Sequence, residues 1–307
     1  MDIVYQIVTS PSGWYAARNS GLYFSINQGQ SWQSAYASLN LSEPLPTLAL
    51  AVPPAQEQSP IVFAGLDGGL LRSLHGVDQW ESLPLPSPLP TFTALVSSPE
   101  FEKDGLLFAG TMQDGVLIFT NPGPSWAAWN FGLQDANMLC LACSPDFARD
   151  QMLLAGVQSG LFRSTNAGRS WQEIDLPVGY VPVLCIACSP DFAQDGVIFT
   201  GTETQGLLRS SDGGQTWHQL LQEPLAADQP LNAILLGRDY PAKPEILILY
   251  GSSLLYSPDD GLTWQPWLAG ELNGQEVTAC AAPQGFSANA PIIVGLAGGE
   301  IRLLSPV

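Results

Sequence analysis

The residues best equipped for chemistry are few. Cys140-Leu-Ala-Cys143 and Cys185-Ile-Ala-Cys188 have the spacing of a zinc-binding pair. Both pairs, however, fall in apolar runs that read as extended strands, where positions i and i+3 point to opposite faces. The five cysteines therefore read as structural thiols, and we expect neither a metal nor a cofactor. Only two histidines exist, His75 and His218, and neither has a nucleophile or carboxylate in a spacing that builds a triad. Acids are plentiful. Asp67, Asp114, Asp135, Glu203 and Asp228 fall in loops of one kind, where a pair of carboxylates could flank a glycosidic bond. Asp104, Asp150 and Asp195, with Glu100, Asp146 and Asp191, fall in loops of another kind, as do Asp212, Asp259 and Asp260. These last two sets predict an acidic ring on one face, made of solvated turn carboxylates or serving as a dock for a basic partner.

Charge narrows the partners. The chain of 307 residues holds 28 acidic and 10 basic residues, a net charge of −18. Ten cations cannot track a phosphate backbone, which excludes nucleic acid, and the same field disfavours anionic membranes. No apolar run of about 18 residues exists to span a bilayer. The N-terminal sequence lacks the basic and apolar regions of a signal peptide. An odd cysteine count in a chain of this length suggests reduced thiols, and we expect a cytoplasmic protein. Charged residues make up 12% of the chain, about half the usual share, while hydrophobic residues make up 46%.

A repeat positions all of these residues. Tryptophans recur at Trp32, Trp80, Trp126, Trp171, Trp217 and Trp264, each at the end of a related phrase: SINQGQSW, SLHGVDQW, FTNPGPSW, STNAGRSW, SSDGGQTW and SPDDGLTW. A second phrase precedes them, as in SSPEFEKDGLLFAGT, CSPDFARDQMLLAGV and CSPDFAQDGVIFTGT. A third, GLLRS or GLFRS, links the two. Each unit reads as four short strands separated by Pro-Asp, Asp-Gly and Gly-Gly turns, with the second strand apolar throughout. Four strands recurring every 40–50 residues is the pattern of propeller blades.

The phrase S-x-D-x-G-x-T-W resembles the Asp-box, or BNR, repeat of sialidase-like propellers in the wider WD40/YVTN/BNR-like group. The same repeat occurs in xyloglucanase-type hydrolases, sortilin-type receptors and photosystem II assembly factors. The resemblance implies fold more than activity. In the box, Asn27, Asn166, Asp212 and Asp259 accept turn N–H bonds, and Gly29, Gly168, Gly214 and Gly261 supply positive φ. Trp32, Trp171, Trp217 and Trp264 cover the hairpin with apolar area. The copies at His75 and at 119–126 depart from the pattern, which predicts altered hairpins. Sialidase chemistry would imply an arginine cluster, but Arg72, Arg163, Arg209 and Arg302 occupy one repeat position on third strands. The assembly-factor resemblance implies a basic patch.

These readings predict an all-β, seven-bladed propeller of four-stranded antiparallel blades, the last with three strands. It forms a single domain over 1–307, with blades at about 1–37, 45–83, 91–130, 137–174, 182–221, 230–268 and 276–307. An open edge follows at 299–304, where a partner segment or a missing C-terminal extension could pair. The Pro-rich loops at 83–91 and 175–183 expose Leu85, Leu89, Tyr180 and Val181, which with Asp114 and Glu203 are the candidate binding residues. The expected function is a non-catalytic interaction module that binds a protein or peptide, with a basic partner suiting the charge, through the loop face or axial funnel. The alternatives are a carbohydrate-active enzyme or lectin of the BNR-like class, and a photosystem-assembly-factor-like chaperone.

Overall fold

A computed structural model describes residues 2–54, 60–121, 125–220 and 229–306. They form seven antiparallel sheets, six of four strands and a last of three, each a meander in chain order. The first strands are Val4–Ser10, Ala49–Ala51, Phe92–Ser97, Met138–Cys143, Val183–Cys188, Leu231–Leu236 and Val277–Ala281. First strands of successive blades adjoin around the ring, and that of blade 7 adjoins that of blade 1. This is a seven-bladed propeller.

Second strands such as Val62–Leu66, Ile198–Thr202 and Ile246–Tyr250 are buried at every position, because a blade faces them on each side. A small residue near the end of the second strand lets the next blade in. An added Cβ at Gly156 would lie 2.6 Å from the Val183 carbonyl, at Gly201 2.8 Å from that of Leu231, and at Gly295 2.5 Å from Val4 Cβ. Gly65 and Gly110 stand in the same relation to Phe92 and Met138. Gly295 closes the ring, since Val4 begins blade 1. An aromatic plug completes several seams. Phe101 packs edge-on against Phe63, Phe147 against Phe108, and Tyr240 against Phe199.

Phe101 and Phe147, with Phe192, open one-turn helices at Phe101–Asp104, Phe147–Asp150 and Phe192–Asp195, where the sequence suggested plain turns. The reason is local. Ser98, Ser144 and Ser189 donate their hydroxyls to Asp104, Asp150 and Asp195, all at 2.6 Å, and the other oxygen of each carboxylate accepts the N–H two residues on. Asp104, Asp150 and Asp195 of the expected ring are thus bound into the fold. Glu100 pairs with Lys103, Asp146 with Arg149 and Asp260 with Arg209.

Replacing Gly156 by Ala should destabilise the protein by about 2–3 kcal/mol, the cost of overpacking against backbone. Gly298→Ala, whose Cβ meets nothing within 4 Å, should be close to neutral. The urea midpoints of the two variants check this.

Candidate functional site

The recurring Trp turn shows how polar groups are spent. Ser210 donates to Asp212 at 2.8 Å and accepts from the Gly214 N–H at 2.9 Å. Asp212 also accepts from the N–H groups of Gln215 and Thr216 and from the Thr216 hydroxyl at 2.6 Å. Asp259 repeats this with Ser257 and Thr263. Asn27 and Asn166 do the same with their amide oxygens on Ser31 and Ser170. The glycines lie at φ 78–86°, and the residue before each is also left-handed. Trp217 and Trp264 donate their indole N–H to Gly214 and Gly261. In the two divergent copies the Trp turns outward instead. Trp80 donates to the Ala35 carbonyl and Trp126 to that of Pro84, both on the preceding blade.

The thiols are spent in the same way. Cys140 and Cys185 donate to the carbonyls of Val183 and Leu231 on the following blade, at 3.4 and 3.2 Å. Burial pushes the Cys140, Cys188 and Cys280 thiols up to about 12, with Asp150 adding to the rise at Cys188. All five cysteines are free. Among the described residues no group of three or more His, Cys, Asp or Glu side chains is placed to hold a metal ion. The seven first strands carry no Asp, Glu, His, Lys or Arg, so the strands around the axis supply neither paired acids nor an arginine trio.

Cations form no patch. Eight of the ten are in ion pairs: Arg18, Arg72, Lys103, Arg149, Arg209, Arg238, Lys243 and Arg302. Arg163 donates to the Met152 sulfur, and Arg169 lies over the Trp129 ring. The basic patch expected of an assembly-factor-like chain is absent among the described residues.

One cleft on the loop face carries two acids, Glu173 and Asp175, that make none of these ion pairs. It has a volume of about 310 Å³ and is lined by Ser159, Gly160, Glu173, Ile174, Asp175, Leu176, Gly179 and Tyr180. The blade 4 outer strand, Gln172–Ile174, supplies Glu173, and the connection to blade 5 supplies the rest of one wall. That connection is pinned at both ends. Leu176 and Val181 are buried in the core between blades 4 and 5. The Gly179 N–H closes a turn on the Leu176 carbonyl at 3.0 Å, with φ 72°. Between the pins Tyr180 stands 83% exposed at the rim.

Val181 is therefore not an exposed anchor. It is 4% exposed and holds the loop down while Tyr180 is lifted. Leu85 is half-buried against the core of blades 2 and 3, whereas Leu89 is 63% exposed. Asp114 and Glu203 are exposed on second-to-third-strand loops of blades 3 and 5, with blade 4 between them. The Glu203 N–H ties its loop to the Pro182 carbonyl at 3.0 Å. Asp135 accepts from the Asn137 and Ser159 N–H groups, a structural role, and Asp228 lies outside the described residues. Sequence reading missed Glu173 and Asp175. Their only signal was one acid within an outer strand and one just after it, before the Pro-rich loop.

No protein-family model and no curated protein sequence matches the chain. Solved structures do resemble it. The extracellular domain of BT4673 from B. thetaiotaomicron superposes with a TM-score of 0.74 at 15% identity, over 98% of this chain and 38% of that one. The GH74 xyloglucanase from Xanthomonas campestris gives 0.73 at 18%, over 98% of this chain and 51% of that one. A structure of YCF48 bound to D1 peptide gives 0.70 at 16%, over 99% and 93%. The chain thus spans well under two thirds of the first two and nearly all of the third. At these identities the likeness establishes the propeller fold alone.

The turn chemistry yields a pH prediction. Partial burial alone would raise the Asp212 carboxyl, but the bonds from Thr216, Ser210 and Gln215 outweigh it and bring it down to about 2. A depressed folded value contributes stability that is present above the free value of 3.8 and is lost as pH falls through about 2. Asp212→Asn keeps the acceptor, as Asn27 and Asn166 do, and removes the titration. The stability gap between wild type and variant should stay constant above pH 4, then shift against wild type on acidification to pH 2, as followed by thermal melts.

Proposed function

We propose that this propeller is a non-catalytic interaction module that binds a basic peptide or protein segment on its loop face. The cleft walled by Glu173 and Asp175, with Tyr180 standing at its rim, carries the reading. A lysine or arginine entering there meets two carboxylates and the face of an aromatic ring, and the pinned loop loses little entropy on binding. The net charge of −18 steers a cationic ligand toward this surface. Leu89 offers an apolar contact further round the same face. First strands without ionisable acids support a binding role over a glycosidase built on axial carboxylates. The likeness to YCF48 bound to a peptide supports a peptide ligand, although here the sign of the available charge points to a basic one.

We read the recurring Ser-x-Asp-x-Gly-x-Thr-Trp turn as an Asp-box, on the strength of its shared hydrogen bonds in four blades. Five unpaired thiols support a reducing, cytoplasmic setting.

Binding of a library of Lys/Arg-containing peptides, read by fluorescence anisotropy, tests the proposal. The tightest binder should lose about tenfold in affinity with Tyr180→Ala and with Glu173→Gln/Asp175→Asn, and should weaken as salt rises. Binding or hydrolysis of β-glucans with no response to basic peptides would replace this reading with the carbohydrate one.

A further inference from the structure

Among the described residues one exposed cation stands apart. Lys103, Arg149, Arg238 and Lys243 are exposed, and each meets a carboxylate. Arg163 does not, but it is half-buried and donates to the Met152 sulfur at 3.4 Å. Arg169 is exposed and belongs to none of the ion pairs, in a chain where 28 acids face 10 cations. Its guanidinium lies over Trp129, 5.4 Å from the ring centroid. A guanidinium held against a ring still has N–H groups to offer a carboxylate.

Beside it an aromatic ring is held out of the core. Phe131 is 81% exposed, and Trp129, two places earlier, 43%. The backbone under Phe131 is fixed from both sides. The Leu133 N–H closes a turn on the Asn130 carbonyl at 3.0 Å, and Phe131 occupies its corner, ahead of Gly132 at φ 82°. The Asn130 amide ties the turn to blade 3, accepting from the Val116 N–H at 3.0 Å and donating to the Asp114 carbonyl at 2.8 Å. The Trp171 N–H ties it to blade 4 through the Phe131 carbonyl at 2.8 Å. A Cβ on Gly132 would run into the Trp171 carbonyl, so the turn lies hard against blade 4. The ring so fixed stays in water within this chain. Arg, Trp and Phe are the side chains that anchor protein interfaces, and a rigid support lowers the entropy lost on binding.

Phe131 bridges Ser170, which leads into the outer strand Gln172–Ile174 of blade 4, and the cleft of Glu173 and Asp175 lies at the other end of that strand. Ser170 and Asp175 are five places apart, about 16 Å of extended chain. Along this strand the charge left over from ion pairing changes sign, from Arg169 at its start to Glu173 and Asp175 at its end. We propose that Trp129, Phe131 and Arg169 dock a second, acidic and apolar stretch of the partner polypeptide that enters the Tyr180 cleft. A carboxylate meets Arg169, and a neighbouring aromatic or aliphatic side chain covers Phe131 and Trp129, about four to six residues from the basic side chain in the cleft. Charge complementarity selects this occupant. A purely acidic segment is repelled by the net charge of −18, a purely basic one leaves Arg169 unpaired, and a second copy brings another −18. The link to a basic residue rests on the cleft being a binding site; the acidic and apolar contact does not.

Fluorescence anisotropy with the peptide Glu-Phe-Gly-Ser-Gly-Ser-Lys and with its reversed sequence tests this, the tighter of the two being compared with Gly-Ser-Gly-Ser-Lys alone. The two-ended peptide should bind about tenfold or more tighter than the basic half. Arg169→Gln and Phe131→Ala alter exposed side chains and should leave the melting temperature unchanged. Each should weaken the two-ended peptide about five- to tenfold and leave the basic half unaffected. With Gln in place of the peptide's Glu, Arg169→Gln should cause no further loss, as a direct pair requires. Leu262→Ala, at an exposed apolar residue of blade 6, should change nothing. Failure of the cleft reading shows separately. In that case Tyr180→Ala leaves both peptides unaffected while Arg169→Gln still weakens the two-ended one, and the acidic and apolar contact stands. The proposal is overturned if the two-ended peptide binds no tighter than its basic half, or if Arg169→Gln and Phe131→Ala bind it as the wild type does. It is equally overturned if the Gln peptide suffers the same loss with Arg169→Gln, or if a neutral glucan oligosaccharide rather than the peptide responds to Phe131→Ala.

Discussion

The close approach of one blade's second strand to the first strand of the next holds this molecule together. Gly65, Gly110, Gly156, Gly201 and Gly295 leave no room for a side chain at that point. The consequence reaches beyond packing. Because the neighbouring backbone comes so near, small side chains can bond to it directly. Cys140 and Cys185 do so through sulfur, and Thr278 does so through its hydroxyl to the Val4 carbonyl at 2.9 Å. The same contact closes the ring between the last blade and the first without a shared strand. Among the described residues the last sheet has three strands.

Polar groups are otherwise satisfied within each repeat. The Ser–Asp pairs of the one-turn helices and the Ser–Asp/Asn pairs of the Trp turns use carboxylates as acceptors for backbone and hydroxyl donors. Most cations are neutralised by a nearby acid. The large negative charge is thus only in part a field of free carboxylates. Glu173 and Asp175, beside Tyr180, are among the acids that stand without a cation.

Much of the fold was legible because it repeats. A Trp at a near-constant interval, with a Ser, an Asp or Asn, and a Gly before it, announces a hairpin, and apolar second strands announce burial on both faces. The three-stranded last blade followed from counting strands. The site was legible only in part. Tyr180 could be picked out as an aromatic in a Pro-rich loop, but its neighbour Val181 could not be told apart from it. Burial at that position depends on which side chain meets the seam between blades 4 and 5. Glu173 and Asp175 looked like any acids of an outer strand and its loop until the turn at Ser159 and Gly160 was brought opposite them.

By itself the sequence determined the local geometry: strand lengths, left-handed turn positions, the number of blades and the sign of the charge. These depend on residues a few places apart, within reach of short-range sterics and hydrogen bonding. Only the tertiary structure decided which acids are free and which are spent, which thiols face a neighbouring carbonyl, and which exposed cation lacks an acid. Each of those turns on contacts between blades, some 45 residues apart along the chain for Trp80 and Ala35 and 274 for Thr278 and Val4. Such contacts exist only once the ring has closed.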